Sequence, residues 1–311
     1  RVLRRHAARL EYPSDYTILD RDDSRTLVAS CIRDRKLRHK EFPKPDVLLS
    51  LHSAAVNSSE SVDDAMKERF GDLDVDVEDV RKVLHDYESR KRKQNAMDFD
   101  DLLVNGVRLL REHADVQGQY QGQFRYVLVD EYQDTNPIQA ELVDRLAARH
   151  RNVMVVGDDF QSIYSWRGAD FRNIMSFPKR YPDTKIVKLE TNYRSVPEIL
   201  SVANACIAGN PEQFQKTLRP TRESHRKPLV AYMPDGAAQA QFVVETVREL
   251  CAEGYDLSDI AVLYRAHYHA MELQMELTRQ RVAYTIMSGL RFFEQAHIKD
   301  VLSLLRVLES P

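Results

Sequence analysis

Asp130, Glu131 and Asp134 follow directly on the apolar run Tyr126, Val127, Leu128 and Val129. A buried strand that ends on clustered negative charge raises the question of which cation or phosphate meets it. Asp130 can hold Mg²⁺ through water, while Glu131 orients and deprotonates an attacking water. Taken alone, an Asp-Glu pair more often caps a helix, because so short a pattern recurs by chance. The longer stretch "VLVDEYQDT" is far more specific.

A second cluster, "VVGDDFQSIYSWRG", holds Gln161, a neutral amide suited to sensing a terminal phosphate, and then Tyr164, Trp166 and Arg167. Aromatic and arginine side chains in a polar loop can stack and clamp single-stranded bases, at about 1–3 kcal/mol per base. Trp166 on its own would be read as a core anchor, but Ser162, Ser165, Arg167 and Gly168 surround it with polar and small residues. Asp158 and Asp159 read as a strand-to-loop cap. In the third cluster, "LETNYRS", Tyr193 can stack on an adenine face and Arg194 can neutralise charge on a transferring phosphoryl group. By itself Arg194 would be an ordinary surface residue.

The elements needed to carry these clusters are legible in the pattern. Before Gly122 the chain reads as helical. One amphipathic helix runs over 76–88 through Val77, Val80, Val83, Leu84 and Tyr87, and another begins at "AMDFDDLL". Beyond Gly122, β-rich runs at 126–129, 153–156, 186–189, 229–233, 260–264 and 284–287 alternate with helices. The expected helices span 137–149, 197–208, 237–251, 269–280 and 295–308. Pro137 suits a first helical turn. The helix at 237–251 shows an apolar stripe of Phe242, Val243, Val247 and Leu250. Such alternation predicts an α/β fold with parallel layers, in which ligands bind beyond the carboxyl ends of the strands. All three clusters sit there.

The 311 residues suffice for two or three domains. With 43% hydrophobic and 30% charged residues, the chain is globular rather than disordered. A net charge of −3 excludes a globally basic nucleic-acid binder but leaves room for a local basic groove. No apolar run approaches the ~20 residues needed to cross a bilayer. Cys31, Cys206 and Cys251 fit neither a disulfide framework nor a zinc site, so a cytoplasmic setting is expected. Arg90, Lys91, Arg92 and Lys93 read as a solvated inter-helix loop rather than a phosphate contact, as charge runs mostly do. The same reading applies to Arg33, Arg35, Lys36, Arg38 and Lys40. Phe292 and Phe293 read as core.

Together, "AMDFDDLL", "VLVDEYQDT", "VVGDDFQSIYSWRGAD", "LETNYRS" and "SGLRFFEQAHIKD" resemble the UvrD/Rep/PcrA family of superfamily I DNA helicases, in the family's order and near its spacing. The resemblance implies RecA-like parallel-sheet motor domains, each partial, with an inserted all-helical subdomain. Residues 1–21 and 122–184 would belong to motor domain 1A, 22–121 to the helical insertion 1B, and 185–311 to the first part of motor domain 2A. The motif at Gly289 to Asp300 would mark the end of the first half of 2A. By the same resemblance, Asp130 is the Mg²⁺ ligand and Glu131 the catalytic base of ATP hydrolysis. Gln161 is the γ-phosphate sensor, Tyr193 stacks on adenine, and Arg194 acts on the γ-phosphate from the second motor domain. Tyr164, Trp166 and Arg167 would couple the ATP site to single-stranded DNA, and Phe99 would help pocket a base.

The implied activity is 3′-to-5′ translocation on single-stranded DNA and unwinding of duplex. ATP and Mg²⁺ are the implied cofactors. The implied partners are single strands, single-strand/duplex junctions, and accessory proteins of DNA repair or replication. A phosphate loop of the form G-x-x-x-x-G-K-[ST] is absent, since no glycine is followed by lysine. The opening "RVLRRHAARL" reads as mid-helix, and the later motifs of 2A and domain 2B are not found. The expectation is therefore an excised fragment of an ATP-dependent helicase, inactive by itself. Two alternatives stand beside it: a DNA-binding or scaffold module that has lost its ATPase, and a metal nuclease using Asp130, Glu131 and Asp134.

Overall fold

The computed structural model describes residues 1–37, 42–58, 60–71, 76–165 and 168–287. The chain forms two compact units, Arg1–His225 and Arg226–Pro311.

In the first unit, helices α1 (Val2–His6), α2 (Arg21–Asp34), α3 (Pro45–Ser58), α4 (Val62–Phe70), α5 (Val77–Lys93), α6 (Phe99–Glu112) and α7 (Ala114–Gln123) precede the first long strand run. Short polar side chains start α2, α4, α5 and α6. Asp20 and Asp23 form a reciprocal capping box on α2, and Asp98 and Asp101 do the same on α6. Asp76 caps α5 by accepting the Glu78 N–H. The predicted stripe on α5 is real: Val80, Val83, Leu84 and Tyr87 are buried against Val28, Cys31, Leu48 and Leu51. A neighbouring core gathers Leu10, Tyr16, Met97, Leu109, Val116 and Tyr120. This region is not purely helical. Strand β1 (Thr17–Ile18) pairs in parallel with β2 (Ala96–Met97).

The basic run at 90–93 is not a solvated loop. It forms the last turn of α5, where cations complement the helix carboxyl end. Lys91 is 1% exposed and contacts Glu88, Asp98 and Asp101 at 2.8, 2.6 and 2.8 Å. Arg90 reaches Asp34 at 2.7 Å, and Arg92 reaches Glu11 at 3.1 Å. Asp34 and Glu11 are far away in sequence, and Asp98 and Asp101 lie past the end of α5, so the run itself gives no sign of them.

Strand β3 (Val127–Val129) pairs in parallel with β4 (Val153–Val155), in register Val127 to Val153 and Val129 to Val155. Helix α8 (Pro137–Ala147) joins them, capped by Asn136 and Gln139 with Pro137 in its first turn. Helix α9 (Arg172–Arg180) follows. One face of the strand pair packs on Tyr132, Val143, Ile174 and Phe177. The other face leaves Leu128 and Met154 exposed. Then β5 (Thr191–Asn192) pairs in parallel with β6 (Arg219–Pro220), around α10 (Pro197–Ile207).

The second unit contains α11 (Gly236–Ala252), capped by Asp235, and α12 (Met271–Arg279). The buried stripe of α11 is Ala240, Val244 and Val247, so Phe242 lies on its flank rather than at its centre. The parallel α/β texture holds, but the runs at 186–189, 229–233, 260–264 and 284–287 form no strand. A strand persists only where neighbours complete its ladder, and the described residues pair none of these four. The helix expected at 295–308, the motif from Gly289 to Asp300, Arg38, Lys40, Phe292 and Phe293 lie outside the described residues.

Candidate functional site

The tip of β3 sets out its acids in an ordered way. Asp130 turns one carboxylate oxygen onto the Glu131 N–H at 2.9 Å. Glu131 has φ +50°, left-handed backbone that costs a non-glycine residue on the order of 1 kcal/mol. The chain then turns through a short 3-10 segment, Tyr132–Asp134. Asp130 and Glu131 are exposed, and neither they nor Asp134 form an ion pair among the described residues. Burial, reinforced by the Glu131 charge, pushes the Asp134 carboxyl up from its ordinary value. Its Oδ1 is buried without a hydrogen-bond partner among the described residues. The exposed, uncompensated carboxylates of Asp130 and Glu131 are oxygen ligands of the kind a divalent cation takes.

Gln133 ties this tip to the next. It is 1% exposed. Its Nε2 donates to Glu131 Oε2 at 2.8 Å and its Oε1 accepts the Asp158 N–H at 2.9 Å. Gly157 makes room for it, since a Cβ there would stand 2.6 Å from Gln133 Oε1 and 2.7 Å from Ile174 Cδ1. Sequence reasoning passed over Gln133. The available signal was a neutral amide, able to donate and accept at once, set between acids.

Beyond β4, the Asp158 side chain accepts the Phe160 N–H at 3.1 Å, as a strand-end cap does. It also accepts from Gln161 Nε2 at 2.7 Å. Lys216, also unforeseen, places its ammonium between Asp158 and Asp159 and 4.0 Å from the Phe160 ring centroid. Burial opposes ionisation of Asp158, but hydrogen bonds from Lys216 and Gln161 prevail and hold its carboxyl below the usual range. The Phe214 N–H adds a bond to Asp159 Oδ2 at 2.9 Å. Thr217 and Arg219 then donate backbone N–H groups to Glu190, leading into β6 and its partner β5.

Beyond β5, Asn192 Oδ1 accepts the N–H groups of Arg194 and Ser195 at 3.0 and 2.7 Å. This side-chain turn presents Tyr193, 77% exposed, and Arg194 to solvent. The Arg194 guanidinium has no hydrogen bond or ion pair among the described residues. No hydrogen bond joins Tyr193 or Arg194 to Asp130 or Glu131. Asp130, Glu131, Asp134 and Gln161 are thus gathered in one bonded network, while Tyr193 and Arg194 share a separate loop.

Phe99 opens α6 and is 65% exposed. Asp98, next to it, is fixed by Tyr87 Oη at 2.7 Å and Lys91 Nζ at 2.6 Å. Tyr164 is 39% exposed. Trp166 and Arg167 lie outside the described residues. None of the described helices is long and apolar enough to cross a membrane.

A family model described as the UvrD/REP helicase N-terminal domain matches residues 1–182, and one described as the UvrD-like helicase C-terminal domain matches residues 187–311. Among curated proteins, the ATP-dependent DNA helicase PcrA of Bacillus subtilis strain 168 is 37% identical over 313 aligned residues, covering 100% of this chain. The PcrA proteins of Staphylococcus aureus strain Mu50 and Staphylococcus epidermidis strain RP62A are each 34% identical over 308 residues, covering 99% of it. The chain spans 42% of the length of each of these relatives.

Proposed function

The chain belongs to the UvrD/REP helicase family, and from that premise we propose that it carries the ATP-sensing and DNA-tracking centre of a cytoplasmic, 3′-to-5′ ATP-dependent DNA helicase. The observation that carries this reading is the bonded network at two adjacent strand tips. Exposed, uncompensated Asp130 and Glu131 are linked through buried Gln133 to the backbone of Asp158, whose carboxylate holds Gln161.

In this reading Glu131 takes the proton from the attacking water, and its left-handed backbone aims the carboxylate off the strand end. Asp130 would hold Mg²⁺, which would supply charge neutralisation for the phosphates. Gln161 exchanges its bond with Asp158 for one with the γ-phosphate. Tyr193 stacks on the adenine, and Arg194 stabilises negative charge as the terminal phosphoryl group departs. Phe99, Tyr164, Trp166 and Arg167 engage single-stranded bases, so that nucleotide turnover moves the strand and opens duplex at a junction.

The same reading assigns 1–21 and 122–184 to a first RecA-like motor domain, 22–121 to a helical insertion, and 185–311 to part of a second motor domain. No glycine of the 311 residues precedes a lysine. In this reading Asp130, Glu131, Gln161 and Arg194 supply the part of the nucleotide site that lies in these residues, without the amides and lysine of a G-x-x-x-x-G-K-[ST] loop.

Replacing Glu131→Gln in the full-length protein keeps the shape but removes the base. Steady-state ATPase should fall by about 10²–10⁴-fold, with binding of a fluorescent ATP analogue retained. Turnover within a few-fold of wild type would overturn the assignment.

A further inference from the structure

Asn57, near the end of α3, is 7% exposed and fully engaged. Its Nδ2 donates to Ser53 Oγ at 3.0 Å and to Asp100 Oδ1 at 3.1 Å. Its Oδ1 accepts from Asn136 Nδ2 at 2.8 Å. Because Asp100 only accepts, the orientation of the Asn57 amide is fixed by its neighbours.

Each partner belongs to a stretch with its own task. Asp100 immediately follows Phe99 in the first turn of α6. Asn136 caps α8 and ends the turn that begins at Asp130 and Glu131. A third stretch closes on the same residue. Gly168, four positions beyond Tyr164, has φ +84°, and a Cβ there would lie 3.1 Å from Asn57 Cβ. That stretch returns to the strand-tip turn through the Asp170 N–H and Asn173 Nδ2, which both donate to Thr135 O, at 3.0 and 2.8 Å. Buried amides of this kind are costly to disturb, because removing one partner leaves the others without theirs.

We propose that Asn57 is a positioning residue that couples strand engagement at Phe99 and the Tyr164 loop to the nucleotide site at Asp130–Asp134. This rests on the helicase reading above. Asn57 touches neither DNA nor nucleotide in this scheme. It fixes the α6 start, the α8 cap and the Gly168 backbone relative to one another, so that a shift at one is felt at the others.

The test uses the full-length protein and a single-stranded oligonucleotide. Asn57→Ala should leave basal ATPase and oligonucleotide affinity within about twofold of wild type, while the factor by which DNA stimulates kcat falls about tenfold. Asn57→Asp should also uncouple, because it sets a second carboxylate against Asp100. Adding Asp100→Asn reverses the donor and acceptor and should restore stimulation. A purely structural role would reduce basal and stimulated rates in proportion, without rescue by the exchange. That outcome, or undiminished stimulation in Asn57→Ala, would overturn the proposal. Glu131→Gln separates the two claims. If it retains turnover, the reading of the strand tip fails; if it is inactive while Asn57→Ala keeps full stimulation, only the coupling role fails.

Discussion

Helices α2 to α6 and the apolar runs at 186–189, 229–233, 260–264 and 284–287 are both rich in large hydrophobic residues, yet they end in opposite conditions. Val83 and Tyr87 are 0% exposed, whereas Leu263 and Met287 are 94% and 95% exposed. The difference follows from where each element finds its hydrogen bonds. A helix satisfies its backbone within a few residues, so a capped, striped segment can form and then pack. A strand borrows its partners from other segments, so the same apolar content remains uncovered until those segments are adjacent.

The contrast can be broken most forcefully at Lys91. Lys91→Met strands Glu88, Asp98 and Asp101 without their shared cation. It should cost about 3–5 kcal/mol of unfolding free energy, read by urea denaturation; a loss below 1 kcal/mol would mean that the cluster is not held as observed. A smaller effect comes from the same cluster through pH. Burial, then the neighbouring Asp98 charge, pushes the Asp101 carboxyl up to about 6. A raised carboxyl favours the folded state while protonated, so this contribution is full below the unfolded value near 3.8 and is lost as pH rises through about 6. Asp101→Asn should therefore flatten the stability–pH curve across that window and gain roughly 1–3 kcal/mol near pH 7. An unchanged slope would contradict the assignment.

The smallest change in stability is expected in the exposed runs. Leu263→Ser and Tyr232→Ser should alter unfolding free energy by no more than about 0.5 kcal/mol. They should, however, reduce self-association of the 311-residue chain in sedimentation, because bare apolar runs recruit other chains.

What the residues made legible is instructive by type. Features written into a few consecutive positions could be read: the apolar stripe of Val80, Val83, Leu84 and Tyr87 on α5, the proline opening α8, the strand ending at Val129, and the acids placed just beyond. Features assembled from distant positions could not. Lys91 looked like one charge among four, and only the fold brings Asp98 and Asp101 to it. Lys216 stands in a loop with no pattern around it, and meets Asp158 and Asp159 only in three dimensions. Gln133 sat inside a recognised stretch, but its bond to the Asp158 backbone depends on β3 and β4 lying side by side. The four unformed strands fail for the same reason: none of the described segments supplies the ladder they would need.

The positive φ of Glu131 has a mechanical corollary. The backbone leaves the extended conformation at that residue, so β3 does not run past it, and strand length acts as a ruler for the acid. Inserting one residue before Asp130 would displace the carboxylate by about 3.3 Å and swing it to the opposite side of the sheet. The spacing between the apolar run and its acids is therefore a dimension of the machine, as much as the acids themselves are.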